Sequence, residues 1–201
     1  MAVLNNTVHY SCIISGFKGI ELQKLNCRNG IVMKDRIKII AAAAVTALLV
    51  AADQYTKYLA ANGLKNKPSF KIIDGVLELT YLQNRGAAWG MLEGKQGFFA
   101  VLTVIVLTAL VYVIIRTPST RRYMPVNISA VLLASGAFGN FIDRCRYGYV
   151  RDFIYFRIID FPVFNVADVY VTLATAVFVI VFLFVYKDGD FAYLIPKRQK
   201  R

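Results

Sequence analysis

Carboxylate side chains stand at the ends of long apolar runs in this sequence, beside basic and amide groups. Asp53 and Lys57 are four residues apart near the end of the first run, so they share one helix face and are spaced to pair. Carboxyl groups that share a site have their pKa values driven apart, which suits general acid–base chemistry. Ionisable residues inside apolar runs indicate a functional site, although a purely structural ion pair accounts equally well for these two residues alone.

Two further polar groups follow the same pattern. Asn140, Asp143 and Arg144 have the spacing i, i+3 and i+4, which places them on one face near the end of the third apolar run. Asn165 is a favourable N-cap and Asp168 lies three residues later, which is close to a capping box at the start of the fourth run. Taken singly, each group is also explained as a solvated helix end or a helix cap.

Four apolar runs position these groups. Each is close to the ~20 residues that a helix needs to cross the hydrocarbon core of a bilayer. Since backbone groups in lipid must satisfy their own hydrogen bonds, the runs are predicted to be helices. Their approximate bounds are Ile37–Ala61, Phe98–Ile115, Val126–Ile142 and Val166–Tyr186. The sequence, in which 57% of residues are hydrophobic, therefore predicts an all-α membrane protein with four transmembrane helices.

The direction of successive spans brings the polar groups together. The first and third helices run the same way and the fourth begins where they end, so all three groups reach one leaflet, and Asn84 and Asp152 follow in loops on that side. A rise of ~1.5 Å per residue places Asp53 roughly 24 Å from Ile37, still within the hydrocarbon. An ionised group at that depth costs roughly 2.5–3.5 kcal/mol on insertion scales. Convergence of several such groups predicts a polar site, built around carboxylates, just beneath one membrane surface.

The segment between the first two spans carries a hairpin signal. Residues 70–84, FKIIDGVLELTYLQN, contain two short strand-like runs on either side of Asp74-Gly75. This pattern predicts a small extracytoplasmic β-rich element between helices one and two. Residues 144–162 are interpreted as a second loop on the same side, aromatic and basic in composition.

The formal net charge of +12 is explained by membrane topology. The basic residues are spread over loops and tails and form no aromatic-interleaved basic face, so a nucleic-acid partner is not expected. Three basic clusters precede the first span, separate the second from the third and follow the fourth, which puts them on one side of the membrane. The positive-inside rule makes that side the cytoplasm. Both termini are therefore predicted to be cytoplasmic, and the carboxylate site is predicted near the outer face.

Three regions are predicted along the chain. Residues 1–33 lack the pattern of a secretory signal and are interpreted as a leader that is disordered or that reflects the choice of start codon, because Met33 opens a natural lead into the first span. Residues 34–187 form the membrane domain, and residues 188–201 form a basic cytoplasmic tail. The three Cys residues show neither metal-ligand spacing nor an obvious disulfide framework.

Five short motifs occur along the membrane domain. They are DQYTK (53–57), NRGAAW (84–89), GAFGNFIDR (136–144), VRDFI (150–154) and FNVAD (164–168). Their order and spacing resemble the lipoprotein signal peptidases, also called signal peptidase II, over residues 33–187. Any one motif is weak, but five in register on four spans are specific. The resemblance implies an intramembrane aspartyl protease that removes the signal peptide from prolipoproteins, cutting on the amino side of a diacylglyceryl-modified Cys.

The resemblance also implies roles for individual residues. The family's two catalytic aspartates fall in its V-x-D-F and F-N-x-A-D motifs, which correspond to Asp152 and Asp168 here. Asp143 matches a supporting position, although the residues alone rank it above Asp152 because it adjoins a span. The residues expected to support the pair or to bind substrate are Asp53, Lys57, Asn84, Gly86, Asn140, Asp143, Arg144 and Asn165.

The implied mechanism divides two tasks between the aspartates. The charged carboxyl group acts as a base on water, and the protonated one polarises the scissile carbonyl and then protonates the leaving amine. Asp168, in the first turn of the fourth helix, feels the positive end of the helix dipole and is predicted to carry the charge. Asp152 is then the group that more often holds the proton.

The supporting residues have expected contacts as well. Asn140 and Asn165 are expected to donate hydrogen bonds to the aspartates or to the substrate backbone. An Asp143–Arg144 pair and the pair of the first helix are expected to fix helix ends. Gly86, with the small residues that follow it, is expected to leave room for the modified Cys.

The expected partners are prolipoproteins that carry a diacylglyceryl-Cys and membrane lipids, and the enzyme is expected to act as a monomer in the bacterial inner membrane without a metal or cofactor. Two other classes stay open on the residues alone. Carboxylates in membrane helices also mark proton relays in transporters, although four spans without an internal repeat leave little room for alternating access. The other class is a scaffold protein with a structural polar cluster. A cleavage assay on a lipid-modified precursor distinguishes all three.

Overall fold

The computed structural model describes residues 17–86, 94–187 and 189–194, and the chain divides into two compact units, residues 1–41 and 42–201. Four α-helices and three β-strands make up most of the described chain. The helices are α1 (Phe17–Leu64), α2 (Gln96–Arg116), α3 (Met124–Tyr147) and α4 (Val166–Phe184), and the strands are β1 (Phe70–Ile73), β2 (Leu77–Asn84) and β3 (Val150–Phe156). All contacts described below lie within the second unit.

Each α-helix contributes a segment that is long and apolar enough to cross a membrane. Within the described residues these segments are Met33–Leu64, Gln96–Arg116, Arg121–Tyr147 and Val166–Phe184, and the third includes a 3-10 turn at Arg121–Tyr123 that precedes α3. Helices of this length are the structures that satisfy their own backbone hydrogen bonds in lipid. The predicted fold class, four membrane helices with a small β-rich element, is confirmed.

The ends of the chain are described only in part. α1 starts at Phe17, upstream of the apolar run, so residues 17–33 of the predicted leader are helical, whereas residues 1–16 lie outside the described residues. In the predicted basic tail, Ala192–Leu194 form a 3-10 helix, and Asp188 and residues 195–201 lie outside the described residues. The cytoplasmic placement of both termini stays a prediction.

The third helix is longer than predicted, which corrects the interpretation of residues 144–147 as part of a loop. α3 ends at Tyr147 and is capped by Gly148, whose φ of 75° is the left-handed conformation that glycine adopts without strain and whose N–H binds the carbonyl of Arg144. Two arginines in the last turn favour the negative end of the helix dipole. Because the helix stops there, β3 begins only two residues after Gly148, at Val150.

The predicted hairpin is present, and a third strand joins it. β1 and β2 are antiparallel neighbours, and Gly75 in the turn between them has a φ of 73°. β3 lies in the segment that is predicted to be a loop, and it pairs antiparallel with β2 to complete a sheet of order β1-β2-β3. The register sets Asn84 opposite Val150 and Leu82 opposite Asp152. Strand pairing therefore brings two expected site residues, Asn84 and Asp152, from distant parts of the chain to one place.

Close helix packing supports the site. An apolar cluster joins α1, α2 and α3. Its buried members are Ile114, Ala130 and Val131, and the partly buried residues packed against them are Ala42, Leu49, Leu110 and Val113. α3 approaches α4 at Gly136, where a Cβ would lie 2.5 Å from the carbonyl oxygen of Ala167. Any larger residue would push the two helices apart, so this glycine keeps the first turn of α4 against α3.

Candidate active site

Polar side chains from four elements meet in a cavity of about 710 Å³. The polar lining consists of Asn84 from β2, Asn140 and Arg144 from α3, Asp152 from β3, and Asp168 and Thr172 from α4. The rest of the wall is mainly apolar and comes from α4, β3 and the segment that connects β3 to α4. The cavity therefore brings together both aspartates that the resemblance singles out.

Asp152 is buried and receives one hydrogen bond on each carboxylate oxygen. The Asn165 amide donates to Oδ1 at 2.6 Å, and the Asn84 amide donates to Oδ2 at 2.9 Å. Burial and, after it, the negative charge of Asp168 raise the pKa of Asp152 to about 7, from an ordinary value of 3.8. Near neutral pH this carboxyl group is therefore able both to hold and to release a proton.

Asp168 lies in the first turn of α4, where the predicted capping box is present. The Asn165 side chain accepts the N–H of Asp168, and Asp168 Oδ2 accepts the N–H of Asn165 at 3.0 Å. Asp168 Oδ1 accepts a hydrogen bond from the Asn140 amide at 2.8 Å. Capping the helix and lining the cavity are thus performed by the same side chain.

The orientation of Asn140 is set by two donors on its carbonyl oxygen. Lys57 Nζ donates to Oδ1 at 2.7 Å, and the Asn165 amide donates to the same atom at 3.1 Å. With its oxygen occupied, Asn140 presents its amide nitrogen to Asp168. Because Asn165 also donates to Asp152, the two asparagines link both aspartates in one hydrogen-bond network.

The predicted Asp53–Lys57 pair is present and fully buried, with Lys57 Nζ 2.9 Å from Asp53 Oδ2. Asp53 Oδ1 accepts the N–H of Ala167 at 2.9 Å, so a side chain of α1 binds the first turn of α4. Gly139 permits this approach, because a Cβ there would lie 2.5 Å from Asp53 Oδ2. The pair therefore holds the residue that directly precedes Asp168.

The expected Asp143–Arg144 pair is wrong, because adjacent residues on a helix do not face each other. Asp143 instead binds Arg151, whose Nη2 lies 2.7 Å from Oδ1 and whose Nε lies 3.0 Å from Oδ2. Arg144 donates to the carbonyl oxygen of Gly86 at 3.3 Å and stacks over the ring of Phe99. Arg144 consequently lines the cavity, whereas Asp143 is fully buried and is not part of its lining.

The chain that follows β2 contacts two residues of the cavity lining, Asn84 and Arg144. The Gly86 N–H binds Asn84 Oδ1 at 3.0 Å, which leaves the Asn84 amide nitrogen for Asp152. Gly86 itself is buried. The small residues Ala87 and Ala88, which are expected to leave room for the modified Cys, lie outside the described residues.

Two residues of this network, Gln54 and Arg151, are not among the site residues predicted from the sequence. Gln54 Nε2 lies 3.1 Å from both Asp53 Oδ2 and Asp143 Oδ1, and Arg151 donates to Gln54 Oε1 at 2.9 Å. A signal for each exists in the sequence: Gln54 is a polar residue inside an apolar run, and VRDFIYF has the β-branched and aromatic composition of a strand.

The arrangement is suited to proton transfer. Two carboxyl groups share one cavity, and the amide donors around them hold each in place. Different surroundings for two such groups are the usual basis for separating an acid from a base. Within the described residues, no group of three or more His, Cys, Asp or Glu side chains is placed to hold a metal ion.

Known proteins are similar to this chain in both sequence and fold. A family model described as signal peptidase (SPase) II matches residues 45–184. Lipoprotein signal peptidases of Enterococcus faecalis and Caldanaerobacter subterraneus are each 43% identical to the chain, over 71% and 72% of it and over 84% and 96% of their own length. A lipoprotein signal peptidase of Staphylococcus aureus is 44% identical over 69% of the chain and 85% of its own length.

Two solved structures of bacterial membrane enzymes are also similar. One has a TM-score of 0.65 at 37% identity and covers 80% of this chain and 93% of its own. The other has a TM-score of 0.64 at 39% identity and covers 73% of this chain and 94% of its own. Together with the four membrane helices, these similarities show that the chain is a multi-pass bacterial membrane peptidase and belongs to the signal peptidase II family.

Proposed function

We propose that the chain removes the signal peptide from prolipoproteins by hydrolysing the bond on the amino side of a diacylglyceryl-modified Cys, with Asp152 and Asp168 activating water. The observation that carries this proposal is the shared environment of the two carboxyl groups. Both line one cavity, and Asn140 and Asn165 bind them into one network. The substrate class is supported by the relatives, which are lipoprotein signal peptidases.

The surroundings of each aspartate favour a division of tasks. Asp152, whose pKa is raised to about 7 by burial and by the charge of Asp168, more often holds the proton. Asp168 lies in the first turn of α4, at the positive end of the helix dipole, and is assigned the role of the base. Asp168 then takes a proton from water as the water oxygen attacks the scissile carbonyl, and Asp152 polarises that carbonyl and protonates the leaving amine as the C–N bond breaks. The two carboxyl groups supply both proton transfers, so the mechanism requires no cofactor.

The apolar part of the cavity suits a lipid-modified substrate. The wall includes Phe156, Phe161, Phe164, Val169 and Leu173. Leu173 lies within the candidate membrane segment of α4 and is 54% exposed, so the wall continues onto the outer surface of that helix. Acyl chains bound along this wall would place the adjoining peptide bond at the aspartates, while Arg144 and Asn84 offer polar groups to the peptide.

The proposed membrane placement follows from the basic clusters of the sequence. Both termini lie in the cytoplasm, and the aspartates lie near the outer face of the inner membrane. This side is where a signal peptide that has crossed the membrane presents its cleavage point. The enzyme acts as a monomer, since one chain contributes every group that the proposed chemistry needs.

A cleavage assay tests the proposal. Purified protein in detergent is incubated with a diacylglyceryl-modified prolipoprotein, and the shortened product is measured by mass spectrometry. Asp152→Asn and Asp168→Asn are each expected to lower the cleavage rate by at least about a hundredfold, because loss of a general acid or base removes a factor of that order. Thermal unfolding should show that both variants remain folded. Asp74→Asn, which changes an exposed carboxylate of the β1–β2 turn, is the matched control and should cleave normally.

Two outcomes would contradict the proposal in different ways. Near wild-type cleavage by either variant would remove that aspartate from the mechanism. No shortened product from the wild-type protein would remove the substrate class.

A further inference from the structure

Four charged side chains form a buried cluster beside the cavity. The four-charge cluster consists of Asp53, Lys57, Asp143 and Arg151, and its two negative and two positive charges balance. Asp53, Lys57 and Asp143 are 0% exposed and Arg151 is 6% exposed. Charges so far from water are stable only when they are paired and hydrogen-bonded, so each member depends on the others.

The contacts within the four-charge cluster form a continuous chain. Lys57 Nζ lies 2.9 Å from Asp53 and 3.8 Å from Asp143, and Arg151 binds both oxygens of Asp143. Gln54 occupies the centre, donating to Asp53 and Asp143 and accepting from Arg151. The Arg151 guanidinium also stacks over the ring of Tyr147, 4.6 Å from its centroid.

Each carboxylate of the four-charge cluster also holds the backbone next to one cavity aspartate. Asp53 accepts the N–H of Ala167, which directly precedes Asp168. Asp143 accepts the N–H of Arg151 at 2.9 Å, and Arg151 directly precedes Asp152. The four-charge cluster therefore holds the backbone one residue before each of the two carboxyl groups, on β3 and at the start of α4.

We propose that Arg151 is a positioning residue for this site: by completing the four-charge cluster it holds β3 against α1 and α3, so that Asp152 and Asp168 keep their mutual geometry. The inference rests on the proposed function of those two aspartates. Arg151 occupies the position that the V-x-D-F motif leaves open, so the resemblance assigns it no role. Arg151 does not line the cavity, and its effect on the reaction is transmitted through its neighbours.

Removal of Arg151 would disturb both aspartates. Asp143 would be left as a buried carboxylate without its main partner, and its attraction for Lys57 would increase. Lys57 is also the donor that orients Asn140, which in turn binds Asp168. Loss of the Arg151 side chain therefore loosens β3, which carries Asp152. It also draws Lys57 away from Asn140, the residue that binds Asp168. Such a change alters the chemical step more than the binding of substrate.

The test compares two arginine variants in the cleavage assay. Arg151→Met is expected to lower kcat by about tenfold or more while KM stays within about twofold, since small displacements of reacting groups have effects of that size. Arg157→Met is the matched control: Arg157 also forms an ion pair on the sheet, with Glu78 at 2.8 Å, but directly follows the far end of β3. The Arg157 variant should retain wild-type kcat.

A double variant separates charge balance from simple loss of packing. Asp143→Asn combined with Arg151→Met restores a neutral cluster, because the remaining Asp53 and Lys57 charges cancel. The double variant is expected to recover several-fold in kcat over Arg151→Met alone. If Arg151 contributed only by packing, the kcat of the double variant would be as low as that of Arg151→Met or lower.

A conservative variant covers the case in which Arg151→Met does not fold. Arg151→Lys keeps the charge, but an ammonium group does not bind both oxygens of Asp143 and Gln54 in the fork geometry of a guanidinium. Its kcat is expected to fall several-fold below that of the wild type and, where Arg151→Met folds, to stay above that of Arg151→Met. Wild-type kcat in Arg151→Met or Arg151→Lys, or a double variant no better than the single one, would overturn the inference. If the Arg151 inference fails in this way while Asp152→Asn is still inactive in the same assay, the proposed function is unaffected. An inactive wild-type protein would contradict both the proposed function and the role of Arg151.

Discussion

The two ends of the helix bundle use ion pairs in different ways. At the end that carries the sheet, Asp53 and Lys57 pair at 2.9 Å with both side chains fully buried. At the other end, Arg122 and Asp190 pair at 2.5 Å, but their side chains are 43% and 19% exposed. A buried ion that loses its partner keeps the penalty of its desolvation, whereas an exposed ion returns to water.

The far end is held mainly by aromatic packing. The rings of Tyr123 and Tyr186 are stacked with centroids 5.7 Å apart, and Tyr193 packs edge-on against Tyr123 at 5.1 Å. The Tyr186 hydroxyl donates to the carbonyl of Arg122 at 2.7 Å. The surface pair adds to a contact that already exists. At the sheet end, buried ion pairs join separate elements, with Lys57 of α1 and Arg151 of β3 both pairing with Asp143 of α3. An ion pair is therefore expected to contribute much more to stability at the sheet end than at the far end.

The largest effect is expected at the buried pair. Lys57→Met leaves Asp53 and Asp143 without their shared cation, and breaking a buried pair from one side costs about 3–5 kcal/mol of stability. Thermal unfolding of the purified protein in detergent measures the change. Lys71→Met is the control, because Lys71 pairs with Asp74 at 2.7 Å where both side chains are more than half exposed. A Lys57 variant as stable as the Lys71 variant would contradict the contrast between the two kinds of pair.

A smaller effect is expected from the titration of Asp152. Its pKa in the folded chain is about 7, above the ordinary 3.8, so the folded state binds this proton more tightly than the unfolded state does. The associated stability is present at low pH and is lost as pH rises towards 7. Between about pH 5 and about pH 8 the loss amounts to about 2–3 kcal/mol.

Comparison of the wild type with Asp152→Asn isolates this contribution, since other groups titrate in both proteins. The wild type should lose more stability than the variant over this range when thermal unfolding is followed at several pH values. Equal pH dependence in the two proteins would show that Asp152 titrates in its ordinary range.

The smallest effect is expected at the far end. Asp190→Asn removes the exposed pair with Arg122 but leaves the aromatic contacts, so the midpoint of thermal unfolding should change by less than about 2 °C. The hydrogen bond from Arg122 lowers the pKa of Asp190, so the sign with pH is opposite to that of Asp152. The small contribution of this pair to stability is present above the ordinary pKa of an Asp carboxyl group, and it is lost as pH falls through the lower pKa of the folded state. A change as large as that of Lys57→Met would mean that the two ends do not differ.

Local patterns in the sequence account for much of the fold. Hydropathy identifies the four spans because each helix must be apolar over the thickness of the bilayer. The hairpin and the Asn165 capping box depend on residues within a few positions of one another, and both are present. The Asp53–Lys57 pair follows from a spacing of four on one helix.

Contacts between residues that are far apart in the sequence could be assigned only from the tertiary structure. Asn84 and Asp152 are 68 positions apart, and only the pairing of β2 with β3 brings them together. Asp143 has a cation next to it in the chain, yet it binds Arg151, because the turn at Gly148 brings the start of β3 back against α3.

The sequence by itself determined the membrane helices, the hairpin and the residue types available for chemistry, since hydropathy and helical spacing act over short stretches of chain. Only the tertiary structure decided which buried charge binds which partner. That choice depends on the direction of side chains brought together by folding, and the desolvation of each ion makes the choice energetically strict.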